Sequence, residues 1–125
     1  VAVLAGGFLG GIGRHALAGL VGRRLRGDFP WGTLAVNVTG AVAIGIVAGI
    51  ARRPDSLLSG DLVRDFLIFG LLGGYTTVSA FSLQTLHLLL AGHGAAAAGN
   101  VALSVILCLL GTATGLLAVA AWPWP

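Results

Sequence analysis

An all-α membrane protein with four transmembrane helices is the fold class this sequence predicts. Three observations lead there. Only 9% of its 125 residues are charged while 57% are hydrophobic, and a soluble domain carries roughly 25% charged residues. The apolar residues gather into four long runs parted by short arginine-bearing segments. One run is too long for a single straight span and carries two adjacent glycines followed by two adjacent threonines, all weak helix formers.

The first run is "VAVLAGGFLGGIGRHALAGLVG", residues 1–22, closed by "RRLRGDFP". The second is "WGTLAVNVTGAVAIGIVAGIA", residues 31–51, closed by "RRPDSLLSGD". The third occupies about residues 62–92, and the fourth, "AAAAGNVALSVILCLLGTATGLLAVAAW", residues 95–122. A helix of about 20 apolar residues crosses a bilayer, so the first, second and fourth runs fit. The third, if straight, would extend roughly 46 Å against a hydrocarbon core of ~30 Å. It has to tilt, protrude or break, and "GGYTT", Gly73–Thr77, is where a break is expected. Trp31, Trp122 and Trp124 stand at span ends, as interfacial anchors do. The whole chain, 1–125, reads as a single four-span domain with no water-soluble part. Because it opens on Val1 rather than Met, a short preceding leader is expected. The first run contains Arg14 and does not read as a cleaved signal peptide.

Composition narrows the function. There is no Lys and no Glu; the seven cations are all Arg and the four anions all Asp. The pI of about 10.6 raises nucleic acid as a partner, but the arginines are scattered between apolar runs with no basic face, so that reading is discarded. A single cysteine excludes an internal disulfide. No nucleotide loop and no hydrolytic constellation is present, so no enzyme is expected.

Loop charge bears on orientation. Arg23, Arg24 and Arg26 lie in the first loop, and Arg52, Arg53 and Arg64 around the second. The count is balanced, and lysine and arginine bias is what orients membrane proteins. Either terminal charges outside these loops supply the bias, or the chain inserts both ways and assembles as an antiparallel dual-topology dimer. Many of the 21 glycines lie at small-xxx-small spacings, such as Gly6/Gly10, Gly7/Gly11 and Gly45/Gly49. Such surfaces let helices approach closely, and most read as packing seams.

Polar groups inside the spans are the functional candidates. Arg14 sits mid-run with no mid-span Asp to pair with. Backbone carbonyls, helix ends or the vestibule of a permeating anion are its expected partners. Asn37 lies centrally in the second run; its amide is either helix-to-helix glue or an anion ligand. Asn100, Ser104, Cys108 and Thr112 recur every four residues, on one helix face. They form a stripe of donors without fixed charge that suits a path for a small anion, unless Ser and Thr bond back to their own helix. After the break come Ser79, Phe81, Ser82, Gln84 and His87. An aromatic ring has an electropositive edge, so Phe81 is either core or an anion contact. His87 and His93 read as interfacial.

Three stretches together, "GGFLGGIGR", "GTLAVNVTG" and "GLLGGYTTVSAFS", resemble the Fluc/CrcB fluoride channels over nearly the whole chain. The last is similar to that family's G-x-x-G-G-x-T-T-F-S-T-F-S motif. The resemblance implies an antiparallel homodimer with two fluoride pores along its interface. It also implies a structural sodium ion at the centre, held by main-chain carbonyls of Gly73 and Thr76. By the same carry-over Asn37 is a pore donor, Phe81 faces fluoride with its ring edge, and Ser79, Ser104, Cys108 and Thr112 belong to a polar track. Arg14 stands at the vestibule or dimer interface. Implied too are residence in the plasma membrane, with lipid around it, and passive export of fluoride: the ion enters acidic cells as HF and is trapped as the anion, so a passive pore relieves toxicity.

The chain departs from the family at Val78, where the motif has its first phenylalanine, and at Ala80; Gln84 stands where Glu is frequent. A valine has no polarised ring edge. Three alternatives therefore stay open. The chain is half of a heterodimeric channel with a paired homologous subunit and silent alone, or a homodimeric variant with a weaker site, or an inactive relative. A small multidrug-type proton-coupled exporter would also be a four-span dual-topology dimer, but it needs a membrane-embedded carboxylate.

Overall fold

The computed structural model describes residues 1–53, 56, 58 and 60–123. The described residues are helical, with no strand among them, and four helices are long and apolar enough to cross a membrane. Helix is the form that satisfies every backbone polar group within its own segment, as a bilayer requires.

Helix α1 spans Ala2–Arg24 and ends on Arg23 and Arg24, cations that favour the negative end of a helix dipole. Gly27, at φ +133°, turns the connection, and Pro30 precedes α2, Trp31–Ala51. The third span falls into two helices. Helix α3 runs through Asp61–Arg64, a π-helical stretch Asp65–Leu72, and Gly73–Tyr75. Helix α4 is Val78–Leu90. Helix α5, Gly94–Ala121, completes the chain. The expected end of the third span at Gly92 moves back to Leu90 for a local reason. The Gly92 N–H bonds the Leu89 carbonyl and the His93 N–H the Leu88 carbonyl, with Gly92 at φ +80°. That pair of bonds is a Schellman stop.

The break is narrower than the expected Gly73–Thr77. Gly73, Gly74 and Tyr75 remain helical, and only Thr76 and Thr77 leave the helix, at φ −78°, ψ 160° and φ −152°, ψ 120°. Threonine wins over glycine here because its hydroxyl can replace a lost backbone partner. Thr77 Oγ1 accepts the Ala80 N–H at 3.1 Å, an N-cap that starts α4 afresh.

Packing is arranged in two glycine-lined crossings. Helix α1 lies against α3, where a Cβ on Gly6 would stand 2.9 Å from the Gly70 Cα and one on Gly74 2.7 Å from the Gly7 Cα. Helix α2 makes its most extensive contact with α5; a Cβ on Gly45 would stand 3.2 Å from the Gly115 Cα, and one on Gly49 2.9 Å from the Val119 Cβ. Gly6, Gly10, Gly45 and Gly49 are therefore the seams their spacing predicts, whereas Gly11 faces nothing within 4 Å. Large apolar side chains remain exposed on every helix, among them Phe8, Phe69, Leu86 and Leu109.

Trp31 packs on Phe29 with ring centroids 4.4 Å apart, and Trp122 is exposed just beyond α5. Trp124 lies outside the described residues.

Candidate functional site: a groove at the helix break

The break sits against the middle of α2 and is tied to it. The Asn37 Nδ2 donates to the Thr77 carbonyl at 2.9 Å, and the Thr77 N–H donates to Asn37 Oδ1 at 2.8 Å. In an unbroken helix the Thr77 N–H would serve the Gly73 carbonyl. Here it serves Asn37, and the Ala80 N–H, which would serve the Thr76 carbonyl, serves the Thr77 hydroxyl instead. Asn37 thus makes the break possible at membrane depth, where irregular backbone persists only if buried in protein or lining a cavity.

Beside the break runs an open groove of about 610 Å³. Asn37 from α2, Gly73 from α3, Thr76 from the break and Phe81 from α4 face it, as do Ser104, Cys108 and Thr112 from α5. Residues from four helices and the break are thereby brought together. Asn37 keeps one amide hydrogen beyond the bond to Thr77. Ser104 is 9% exposed, and its hydroxyl makes no hydrogen bond among the described residues. Cys108 is a free, half-buried thiol. The Thr112 hydroxyl donates to the Ala41 carbonyl at 3.2 Å, so its hydrogen is turned toward α2. Val78 lines the same groove and is 77% exposed, so it stands on a side that this chain leaves uncovered.

Not every candidate joins the groove. Ser79 stands next to it with its hydroxyl 3.2 Å from that of Thr77. Asn100 is taken out of the donor stripe: it is 1% exposed and its amide donates to Thr85 Oγ1 at 2.8 Å. Thr85 in turn donates to the Phe81 carbonyl at 2.8 Å, so Asn100 holds the turn that carries Phe81. Arg14 is half-buried on α1, away from the groove lining and without an ion pair among the described residues. Arg64 pairs with Asp61 at 3.1 Å, and His93 Nδ1 lies 3.7 Å from the Asp28 carboxylate. A smaller cavity of about 180 Å³ lies between Trp31, Thr33 and Gln84, and Gln84 Oε1 is buried there without a partner.

Sequence reasoning missed Thr77, the residue with most of the bonds at the break. The signal was present: a threonine three residues before an N–H that must start a new helix is a cap pattern. It missed Tyr75 too, whose hydroxyl is 2.8 Å from the Thr39 hydroxyl.

The third helix is thus broken and tied to an asparagine on the second, beside a donor-lined groove. Residues 1–116 match the family described as CrcB-like protein, Camphor Resistance (CrcB). The chain belongs to this family. Among curated CrcB relatives, "Fluoride-specific ion channel FluC 3" of Brucella suis is 45% identical over 126 residues, covering 98% of this chain and 95% of that one. "Fluoride-specific ion channel FluC 2" of Bradyrhizobium diazoefficiens is 48% identical over 117 residues, 94% and 85% of the two chains. "Fluoride-specific ion channel FluC" of Rhodospirillum rubrum is 47% identical over 115 residues, 90% and 88%. Four apolar helices and membership of the CrcB family fit a multi-pass protein of the plasma membrane.

Proposed function

We propose that this chain is a fluoride channel, exporting the ion passively and performing no catalytic chemistry. The observation that carries the reading is the groove itself. It places an amide, a hydroxyl, a thiol and a phenyl ring along one apolar trough at the helix break. Relatives at 45–48% identity bear the name fluoride-specific ion channel, which supports the choice of ion. Fluoride is small and strongly hydrated, so a pore has to replace its water with several donors in a narrow space. Asn37 and Ser104 offer N–H and O–H groups, and the Phe81 ring edge offers a weakly positive surface.

The groove is open along the side where Val78 is exposed. A second copy of the chain, inserted in the opposite sense, closes it in this reading, with lipid around the remaining apolar faces. The balanced loop arginines support opposite insertion. Arg14 then stands near a pore mouth or against the partner, where a charge meets water or carbonyls.

A structural sodium ion fits the residues at the break. Its donors are the Gly73 and Thr76 carbonyls, whose helical donors have gone to Asn37 and Thr77. Hard cations take oxygen ligands, and an ion there would satisfy these oxygens and join two chains. The multidrug-type exporter is not favoured: Asp65, in the first turns of the third span, is no mid-span carboxylate.

The test is efflux of fluoride from proteoliposomes containing the purified chain, with chloride as the competitor. Fluoride release far faster than chloride release upholds the reading. Equal release of both ions overturns it.

A further inference from the structure

The break is gripped by α2 on two sides. Asn37 holds Thr77, the last residue before α4. Thr39, two positions along, holds Tyr75, the last residue of α3, with the two hydroxyls 2.8 Å apart. Successive positions turn about 100° around a helix, so Asn37 and Thr39 leave α2 in different directions and straddle the break.

Thr39 Oγ1 lies 2.7 Å from the Ala35 carbonyl and 3.1 Å from that of Val36. Carbonyls only accept, so the threonine hydrogen is spent there. The Tyr75 phenol is therefore the donor and Thr39 Oγ1 the acceptor. The ring is placed for this by two glycines. A Cβ on Gly40 would stand 3.2 Å from Tyr75 Cδ1, and one on Gly13 3.5 Å from Cδ2, so the phenol ring fits where α1 and α2 both lack side chains.

Thr76 lies between these two anchors and is extended at ψ 160°. Its own N–H and hydroxyl both donate back to the Leu72 carbonyl, at 2.9 and 3.0 Å, which ties its nitrogen side to α3 and leaves the carbonyl that follows to be aimed by the residues on either side. The Leu72 bonds hold Thr76 only to the end of α3, so the direction of its carbonyl depends on how firmly that last turn is fixed; Tyr75, anchored on Thr39, fixes the turn on one side and Thr77, anchored on Asn37, on the other. We propose that the Tyr75 phenol, through Thr39, is a positioning group that fixes the Thr76 carbonyl at the helix break and thereby supports conduction. The link to conduction rests on the channel reading above.

The experiment compares the full chain with Tyr75→Phe, Thr39→Val, Thr39→Ser and the double variant Tyr75→Phe/Thr39→Val. Amide hydrogen exchange of the segment 73–80 is read alongside fluoride efflux and its dependence on added sodium chloride. Loss of one hydrogen bond is expected to speed exchange of the Thr77 amide roughly fivefold. Tyr75→Phe and Thr39→Val should each do this, reduce efflux, and raise the sodium concentration needed for half-maximal efflux. The double variant should be no worse than either single one, because both remove the same bond. Thr39→Ser keeps the hydroxyl and should behave as the parent chain. Unchanged exchange over residues 73–80 in both single variants, or full addition of their effects in the double, would overturn the proposal. Faster exchange in variants of a chain whose parent releases no fluoride, alone or with a second homologous subunit, would uphold the positioning role and overturn the channel reading instead.

Discussion

Asn37 and Thr77, 40 residues apart in sequence, exchange a pair of hydrogen bonds in which each residue both donates and accepts. The bond from the Thr77 N–H substitutes for one that the third span gives up at its break, and the bond to the Thr77 carbonyl secures the N-cap of α4. A side-chain amide has the same donor and acceptor as a peptide group, which is why asparagine can do this and an aliphatic residue cannot. Asn37→Ala should remove both bonds and leave the Thr77 N–H without a partner, while the Thr77 carbonyl keeps only its role as the N-cap acceptor of α4. A buried polar group left unsatisfied costs about 1–3 kcal/mol, so thermal unfolding in detergent should fall and fluoride efflux should be lost. Asn37→Asp keeps the acceptor for the Thr77 N–H but adds a negative charge facing the groove. Its melting temperature should exceed that of Asn37→Ala while its anion efflux stays near background.

In the proposed channel Phe81 is a fluoride station and Val78 marks a missing one. Both line the groove, but only the phenyl ring presents a polarised edge. Phe81→Ile should abolish fluoride efflux with little change in melting temperature, since volume is nearly kept. Val78→Phe should preserve or raise efflux. A lone chain that stays silent until a second homologous subunit is supplied would assign the missing station to that subunit.

Glycine spacing yields a graded prediction. A methyl on Gly10 would run into the Leu71 carbonyl, whereas one on Gly11 meets nothing within 4 Å. Gly10→Ala should separate α1 from α3 and lower the melting temperature strongly, by a loss of the order of 1–3 kcal/mol typical of overpacking. Gly11→Ala should leave folding and stability unchanged, unless a second chain packs on that face. Thermal melts of the two variants side by side decide it.

Orientation is open to direct manipulation. The unmodified chain should display its C-terminus on both sides of the membrane, as judged by accessibility of a terminal tag. Adding two or three Lys to the C-terminus should shift that distribution to one side and lower efflux from the chain expressed alone. A C-terminus found entirely on one side in the unmodified chain would contradict dual topology.

The four spans were legible because each is set by a one-dimensional quantity, the length of an apolar run. Trp31–Ala51 matches its expected bounds residue for residue. The break was legible only in part. "GGYTT" announces weak helix, but which of its five residues leave the helix depends on where outside partners lie. Asn37 reaches Thr77 and not Gly73, a relation between distant segments that no local pattern contains. The stripe on α5 illustrates the same limit. Spacing by four puts Asn100, Ser104, Cys108 and Thr112 on one face, but Asn100 meets Thr85 of α4 while Ser104 and Cys108 meet the groove. A helical face is shared along its length by different neighbours, and sequence period does not say which.

The central claim is that fluoride passes along the groove that Asn37 and Phe81 line. Its most direct test is the rate of fluoride efflux from proteoliposomes of the purified chain, measured for the parent and for Phe81→Ile in parallel, with chloride efflux as the reference. The account predicts rapid, fluoride-selective release from the parent and release at the level of empty vesicles from Phe81→Ile. Fluoride release that is unchanged by Phe81→Ile, or that chloride matches, would contradict it.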